Sequence, residues 1–203
     1  MISVVLIGIK MQEVSYKHPD DNHGGNHKGA LVQSLFEDKL KDLNKSYEKT
    51  SFDLDIKGVD FVVYESDING KKIKNGKESR IGVTGYWVND FPEHLRLRVG
   101  STSDCIPDLY NSIATHWALF SSSKNVFFIY KTEDIRKFLN DIGILKLPIL
   151  KCKVDEAINN GVIQSRLRPS SGKSDWFYFP KIVDLNRIKH DEISVKNTGV
   201  VYK

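Results

Sequence analysis

Apolar residues recur along the chain with two different periods, and each change of period marks a change of element. Residues 2–9 (ISVVLIGI) are almost wholly apolar and predict a buried strand. The stretch 18–29 (HPDDNHGGNHKG) breaks the pattern with Pro, Asp, Asn and Gly and predicts a loop. Val32, Phe36, Leu40, Leu43 and Tyr47 then recur at helical spacing, with Lys39, Lys41, Asp42 and Lys45 on the opposite side. Residues 52–65 predict one bent strand or two, broken near Gly58; Val59, Phe61 and Val63 point one way, Asp60, Val62 and Tyr64 the other. INGKK (68–72) is a hairpin turn, and RIGVTGYWV (80–88) and HLRLRVG (94–100) are two further strands. In the last of these Leu95, Leu97 and Val99 share a face opposite Arg96 and Arg98.

The second half begins with a stripe of Leu109, Ile113, Trp117 and Phe120, which predicts a helix from about Pro107 to Phe120, capped by Ser103 or Asp104. NVFFIY (125–130) has the continuous apolar character of a strand buried on both faces. Thr132 can cap a helix that turns Ile135, Phe138, Leu139 and Ile142 inward, and a short helix near 154–159 ends at Gly161. QSRLRPSSGKSD (164–175) reads as a basic loop, WFYF (176–179) as a strand, 180–189 as a last helix opened by Pro180, and 193–202 as a strand or a loose tail. With no repeat and no long linker, residues 1–203 form a single α/β domain: a central mixed β-sheet flanked by helices.

Composition adds limits. The 203 residues carry a net charge of +4 and a pI near 8.9, which permits nucleic-acid binding without requiring it. No apolar run reaches the length of a membrane span. The apolar start is interrupted by Lys10 and followed by no small-residue cleavage site, so it reads as a strand rather than a signal peptide. Cys105 and Cys152 lack CxxC spacing and are too few for a disulfide framework, which predicts an intracellular, cytoplasmic protein.

Candidate chemistry is sparse. HGGNHKG matches neither GxGxxG nor GxxxxGK[ST], and no Ser or Thr follows Gly29 to hold magnesium. Asp20, Asp21, His23 and His27 have metal-ligand chemistry but sit in a glycine-rich stretch, where a solvated polar loop is the better reading. There is no GxSxG or HExxH. Asp60 stands out, because a carboxylate among apolar neighbours costs several kcal/mol if it is buried unpaired. It is either a ligand for a hard divalent cation in a phosphodiester-cleaving site, which needs a second acid and a cation nearby, or a structural carboxylate paired with Arg96 or Arg98. Arg166, Arg168 and Lys173 lie close to Trp176, Phe177 and Tyr178, a combination suited to phosphates and stacked bases, or to a solvated loop beside core aromatics. KKIKNGK (71–77) is a basic hairpin tip, suited to a nucleic-acid backbone or to keeping an exposed edge soluble.

The order of elements over roughly 29–142 resembles the PD-(D/E)XK, restriction-endonuclease-like nuclease family. The residues that carry the likeness are a helix with Glu37, the strand GVDFVVY, a β-meander, LRLRVGST, a helix, NVFFIY and EDIRKFL. The resemblance implies a restriction-endonuclease-like core, with residues 143–203 as a mixed C-terminal extension. It implies Mg2+ or Mn2+ held by Asp60 and Glu37 and catalysis assisted by Lys57, Arg80 or Arg98; independently of it, Arg96, Arg166, Arg168 and Lys173 are the expected contacts to DNA. A cutter of palindromic duplex sites would be a homodimer. The chain departs from the family where an acid-x-lysine pair belongs: LRLRVGST supplies Arg98 and Gly100, while ESR offers Glu78 and Arg80 in a loop that leads into another strand. The expected function is a metal-dependent endonuclease hydrolysing DNA phosphodiester bonds. The alternative is a catalytically degenerate nuclease fold that binds nucleic acid or protein. A small-ligand protein using HGGNHKG explains fewer features.

Overall fold

The computed structural model describes residues 27–55, 57–86, 93–101, 108–121, 123–144, 151–168 and 172–195. The apolar run 2–9, Asp20, Asp21, His23, Ser103, Asp104, Cys105 and most of the tail lie outside them. The Val32–Phe36–Leu40 stripe forms one face of helix α1 (His27–Asp42) and is buried. His27, Lys28 and Gly29, expected in the loop, open this helix. The helix also stops before its apparent stripe does: Asn44 takes φ 50°, and Tyr47 belongs to strand β1 (Ser46–Lys49). Tyr47 keeps the spacing because it packs on the same core from the strand, 6.0 Å from the Phe61 ring.

The segment expected as a bent strand is half helical. A single turn, α2 (Phe52–Asp55), ends at Gly58, and only Phe61–Tyr64 is strand, β2. β2 runs antiparallel to β1 and to β3 (Glu78–Tyr86), so the expected hairpin is present. The chain then leaves this sheet for β4 (Leu97–Ser101). Leu95, Leu97 and Val99 are buried there, as the alternation predicts.

The helix expected over Pro107–Phe120 is not formed. Its described part is one turn, α3 (Asp108–Asn111), followed by strand β5 (His116–Ser121), which lies parallel to β3. Trp117 and Leu119 enter one core while Ala118 and Phe120 enter the other. A segment buried on both sides has no polar face, so its apparent 3.6-residue spacing carries no information. β6 (Val126–Lys131) pairs antiparallel with β5 and is followed by α4 (Thr132–Asp141), which buries Ile135, Phe138 and Leu139. Ile142 lies beyond the helix end and is exposed. Thr132 does not cap α4; its hydroxyl donates to the Ala114 carbonyl at 2.7 Å, tying α4 to the start of β5.

Helix α5 (Lys151–Asn159) ends as expected near Gly161, which adopts φ 69°. The expected basic loop is a hairpin instead: β7 (Ile163–Arg168) pairs with β8 (Lys173–Tyr178). The last helix is short, α6 (Ile182–Leu185) with a 3-10 turn to Ile188, and β9 (Lys189–Ser194) follows.

Among the described residues the central sheet has the order β1-β2-β3-β5-β6-β9 and is mixed, because β3 and β5 are parallel while its other pairs are antiparallel. A second sheet, β4-β8-β7, stands apart. Helix α1 covers one face of the central sheet, closing a core of Val32, Phe36, Phe61 and Phe127. The other face meets α4, α5 and the second sheet through Trp117, Tyr130, Ile135, Leu97 and Trp176. Both sheets draw strands from beyond residue 143: β9 extends the central one, and β7 and β8 join β4. No helix among the described residues is long and apolar enough to cross a membrane.

Candidate functional site around Asp60

The environment of Asp60 is built by the turn before it. Gly58 takes φ 76° and terminates α2: its N–H donates to the Asp55 carbonyl at 2.7 Å, and the Val59 N–H reaches Leu54 at 3.1 Å. This is a Schellman ending, which favours glycine at the left-handed position. The turn is stitched to the segment before β5, where the Ile113 N–H donates to the Lys57 carbonyl at 3.1 Å and the Ser112 hydroxyl to the Gly58 carbonyl at 3.3 Å. A side chain on Gly58 would meet the Ser112 hydroxyl at 2.8 Å.

Asp60 therefore enters β2 in a fixed pose. Its N–H donates to Ile81 at 2.9 Å, and its carbonyl accepts from Thr50 at 3.1 Å. One carboxylate oxygen accepts the Val83 backbone N–H at 2.6 Å, and the other accepts the side-chain amide of Gln33 from α1. The side chain thus does the work of a backbone carbonyl where the β2–β3 ladder begins. Burial pushes the carboxyl up to about 7; the Val83 hydrogen bond opposes that shift and the nearby Asp55 charge adds to it. Arg96 and Arg98, the structural partners expected from sequence, are engaged elsewhere. Arg98 pairs with Asp175 of β8 at 3.2 Å. Arg96 donates to the Gly85 carbonyl at 3.1 Å and lies over the Phe177 ring at 4.9 Å.

Glu37 lies one helical turn beyond Gln33 but belongs to a different cluster. Its carboxylate accepts the Tyr47 hydroxyl at 2.9 Å and pairs with Lys49 at 2.5 Å and Lys41 at 3.3 Å. Burial pushes its pKa up, but the hydrogen bonds from Lys49, Tyr47 and Lys41 outweigh this and hold it below the usual value. Asp60 and Glu37 thus answer to separate sets of partners.

The ladder pairs Phe61 with Ile81, Val62 with Arg80 and Tyr64 with Glu78. Before Phe61 the pairing is irregular: the Asp60 N–H bonds to Ile81, the partner of Phe61, and Gly82 faces Trp117 while the Asp60 carboxylate faces Gln33 of α1. A Cβ on Gly82 would lie 2.6 Å from the Gly58 carbonyl oxygen and 3.1 Å from the Trp117 ring. No acid fits there without displacing the backbone of the turn. Glu78 is exposed and faces Tyr64, about 13 Å along the strand from Asp60 at ~3.3 Å per residue. Lys57 is exposed on the turn. Among the described residues no group of three His, Cys, Asp or Glu converges to hold a metal ion. A hard divalent cation prefers several oxygen ligands; Asp60 and Glu37 are each engaged with their own partners.

Of the expected nucleic-acid contacts, Lys173 is exposed on β8. Arg166 and Arg168 lie on β7, in register with Asp175 and Lys173, and their side chains fall outside the described ones. Gln33 carries no motif that singles it out in the sequence; its one signal is its position four residues before Glu37, on the inward flank of α1.

No family model, curated protein or solved structure matches this chain.

Proposed function

We propose that this chain is a restriction-endonuclease-like α/β core whose two candidate metal-binding acids serve structural partners instead, and that it acts as a nucleic-acid-binding module. The fold part of the reading is supported by the order helix, antiparallel β1-β2-β3, then β5 parallel to β3. The loss of chemistry is supported by one observation: the two acids are engaged by separate partners, Asp60 by Val83 and Gln33, Glu37 by Tyr47, Lys41 and Lys49. Asp60 then serves the ladder, holding Val83 and Gln33. Binding is supported by the basic charge balance and by Lys71, Lys72, Lys74 and Lys77, all exposed on the β2–β3 connection.

The test is incubation of the purified chain with plasmid and short duplexes, with Mg2+, with Mn2+ and with chelator. The expected result is salt-dependent binding with no metal-dependent strand breaks, unchanged in Asp60→Asn. Metal-dependent cleavage that disappears in Asp60→Asn would instead establish the endonuclease expected from the sequence. Failure to bind any nucleic acid at low salt would overturn the module.

A further inference from the structure

The β2–β3 connection is a double turn rather than a simple hairpin, and its tip has an unusual composition. The first turn spans Asp67 to Lys71. The Asp67 N–H donates to the Lys71 carbonyl at 2.9 Å, and its carboxylate accepts the N–H groups of Asn69 and Lys71, both at 2.9 Å. Gly70 takes φ 77°, and its missing side chain lets the turn press on the Asn44 carbonyl, which would lie 2.8 Å from a Cβ. The Asn44 amide donates to the Ile68 carbonyl at 3.4 Å. The second turn closes from Ile73 to Gly76 at 3.0 Å, and Glu65 accepts the Lys77 N–H at 3.0 Å through its side chain. Both acids of the connection are thus engaged by backbone N–H groups.

This fixed scaffold holds Ile68 out into solvent with 94% of its surface exposed. Lys71, Lys72, Lys74 and Lys77 follow it with no acid between them, and the Lys72 ammonium stands 3.2 Å over the Tyr64 ring. A single exposed isoleucine is ordinary on a protein surface. An isoleucine at the apex of a pinned turn, followed by four cations, has the chemistry of an arm that grips a polyanion and presents one apolar wedge.

We propose that the 65–77 connection is a DNA-gripping arm: its lysines contact phosphates along the minor groove and Ile68 inserts against a base step, unstacking it and bending the duplex. This inference rests on the nucleic-acid-binding reading above and specifies how that binding is done. Apolar side chains wedge base steps in this way from the minor groove, and the bend brings more phosphates to the protein. Specificity would then follow flexible pyrimidine–purine steps rather than base hydrogen bonds.

The experiment compares the full chain with Ile68→Ser and with the double variant Lys71→Ala/Lys74→Ala on a duplex carrying end-placed fluorophores and a base-analogue reporter at a TA step. All of these side chains are exposed, so thermal midpoints should match the parent. Ile68→Ser should abolish the bend and the unstacking signal, weaken binding about tenfold, as expected for one buried isoleucine, and lower the salt slope, because the phosphates that the bend brings in are lost. The lysine variant should lower the salt slope by about 1.8, roughly 0.9 for each phosphate no longer neutralised. If the parent binds DNA and both variants match it in affinity, bend and salt slope, the arm is wrong while the module stands. If the parent binds no nucleic acid, the module itself fails. If Ile68→Ser weakens binding to anionic phospholipid vesicles but leaves DNA binding unchanged, the arm serves a lipid surface and the DNA assignment is overturned.

Discussion

Among the described residues, Asp60 and Glu37 are carboxyls shifted in opposite directions. The folded pKa of Asp60, about 7, stands above the unfolded value of 3.8. The folded state therefore holds the proton more tightly. The stability this gives is fully present below about pH 4 and is lost as pH rises toward 7. Glu37 works the other way: its pKa is lowered, so its contribution is present above its unfolded value and is lost as pH falls through the folded one. Asp60→Asn keeps the shape and an acceptor for the Val83 N–H. It should flatten the decline in urea midpoint between pH 4 and pH 7.5, and be more stable than the parent at pH 8. The effect should be on the order of a few kcal/mol at most, since each pKa unit corresponds to about 1.4. A parent-like decline in Asp60→Asn would assign the pH dependence to other groups. That Asp60 is unusual can be read from its apolar neighbours. That it holds Gln33 cannot, because the two meet only when α1 packs on the sheet, 27 positions apart in sequence.

At the scale of elements, legibility depends on whether a segment keeps a polar side. Helix α1 and helix α4 have one and follow their periodicity. β5 has none, and its spacing imitates a helix. β6, equally apolar, is short enough and rich enough in β-formers to be recognised as a strand. What fixes the chain just before β5 is long-range hydrogen bonding. Arg136 of α4 donates through Nε to the Leu109 carbonyl and through Nη2 to the Ser112 carbonyl, each at 2.7 Å. Arg136→Met keeps much of the apolar stem but removes both donors. It should destabilise the protein by about 3 kcal/mol or more, since each of the two hydrogen bonds from a charged group contributes about 1.5–3 kcal/mol. Arg136→Lys should recover only part of this, because an ammonium cannot reproduce the fork. Chemical denaturation measures both, and a parent-like midpoint in Arg136→Met would show that the segment is held by packing alone.

At the scale of the whole molecule, β9 closes the free side of β6, pairing from Val126–Ser194 to Tyr130–Lys189. A chain ending at Ile188 would leave an apolar strand edge open, the geometry that promotes edge-to-edge association. It should elute as larger species and bind a hydrophobic dye, whereas a monomer with the parent's thermal midpoint would contradict this role for β9. The sequence by itself determined the elements with a polar and an apolar side: the α1 stripe, the β2–β3 hairpin, the alternation of Leu95, Leu97 and Val99, and α4. It also marked Asp60 as an acid needing a partner. Those signals are local, because the period of a helix or strand is written within a few residues. Only the tertiary structure decided that β5 is a strand, that β4, β7 and β8 form a second sheet, and that Arg98 belongs to Asp175 rather than Asp60. It alone placed the Gly58 carbonyl in the space beside Gly82. These outcomes depend on which buried faces meet, and residues far apart in the chain carry no mark of one another until the sheets and helices have packed.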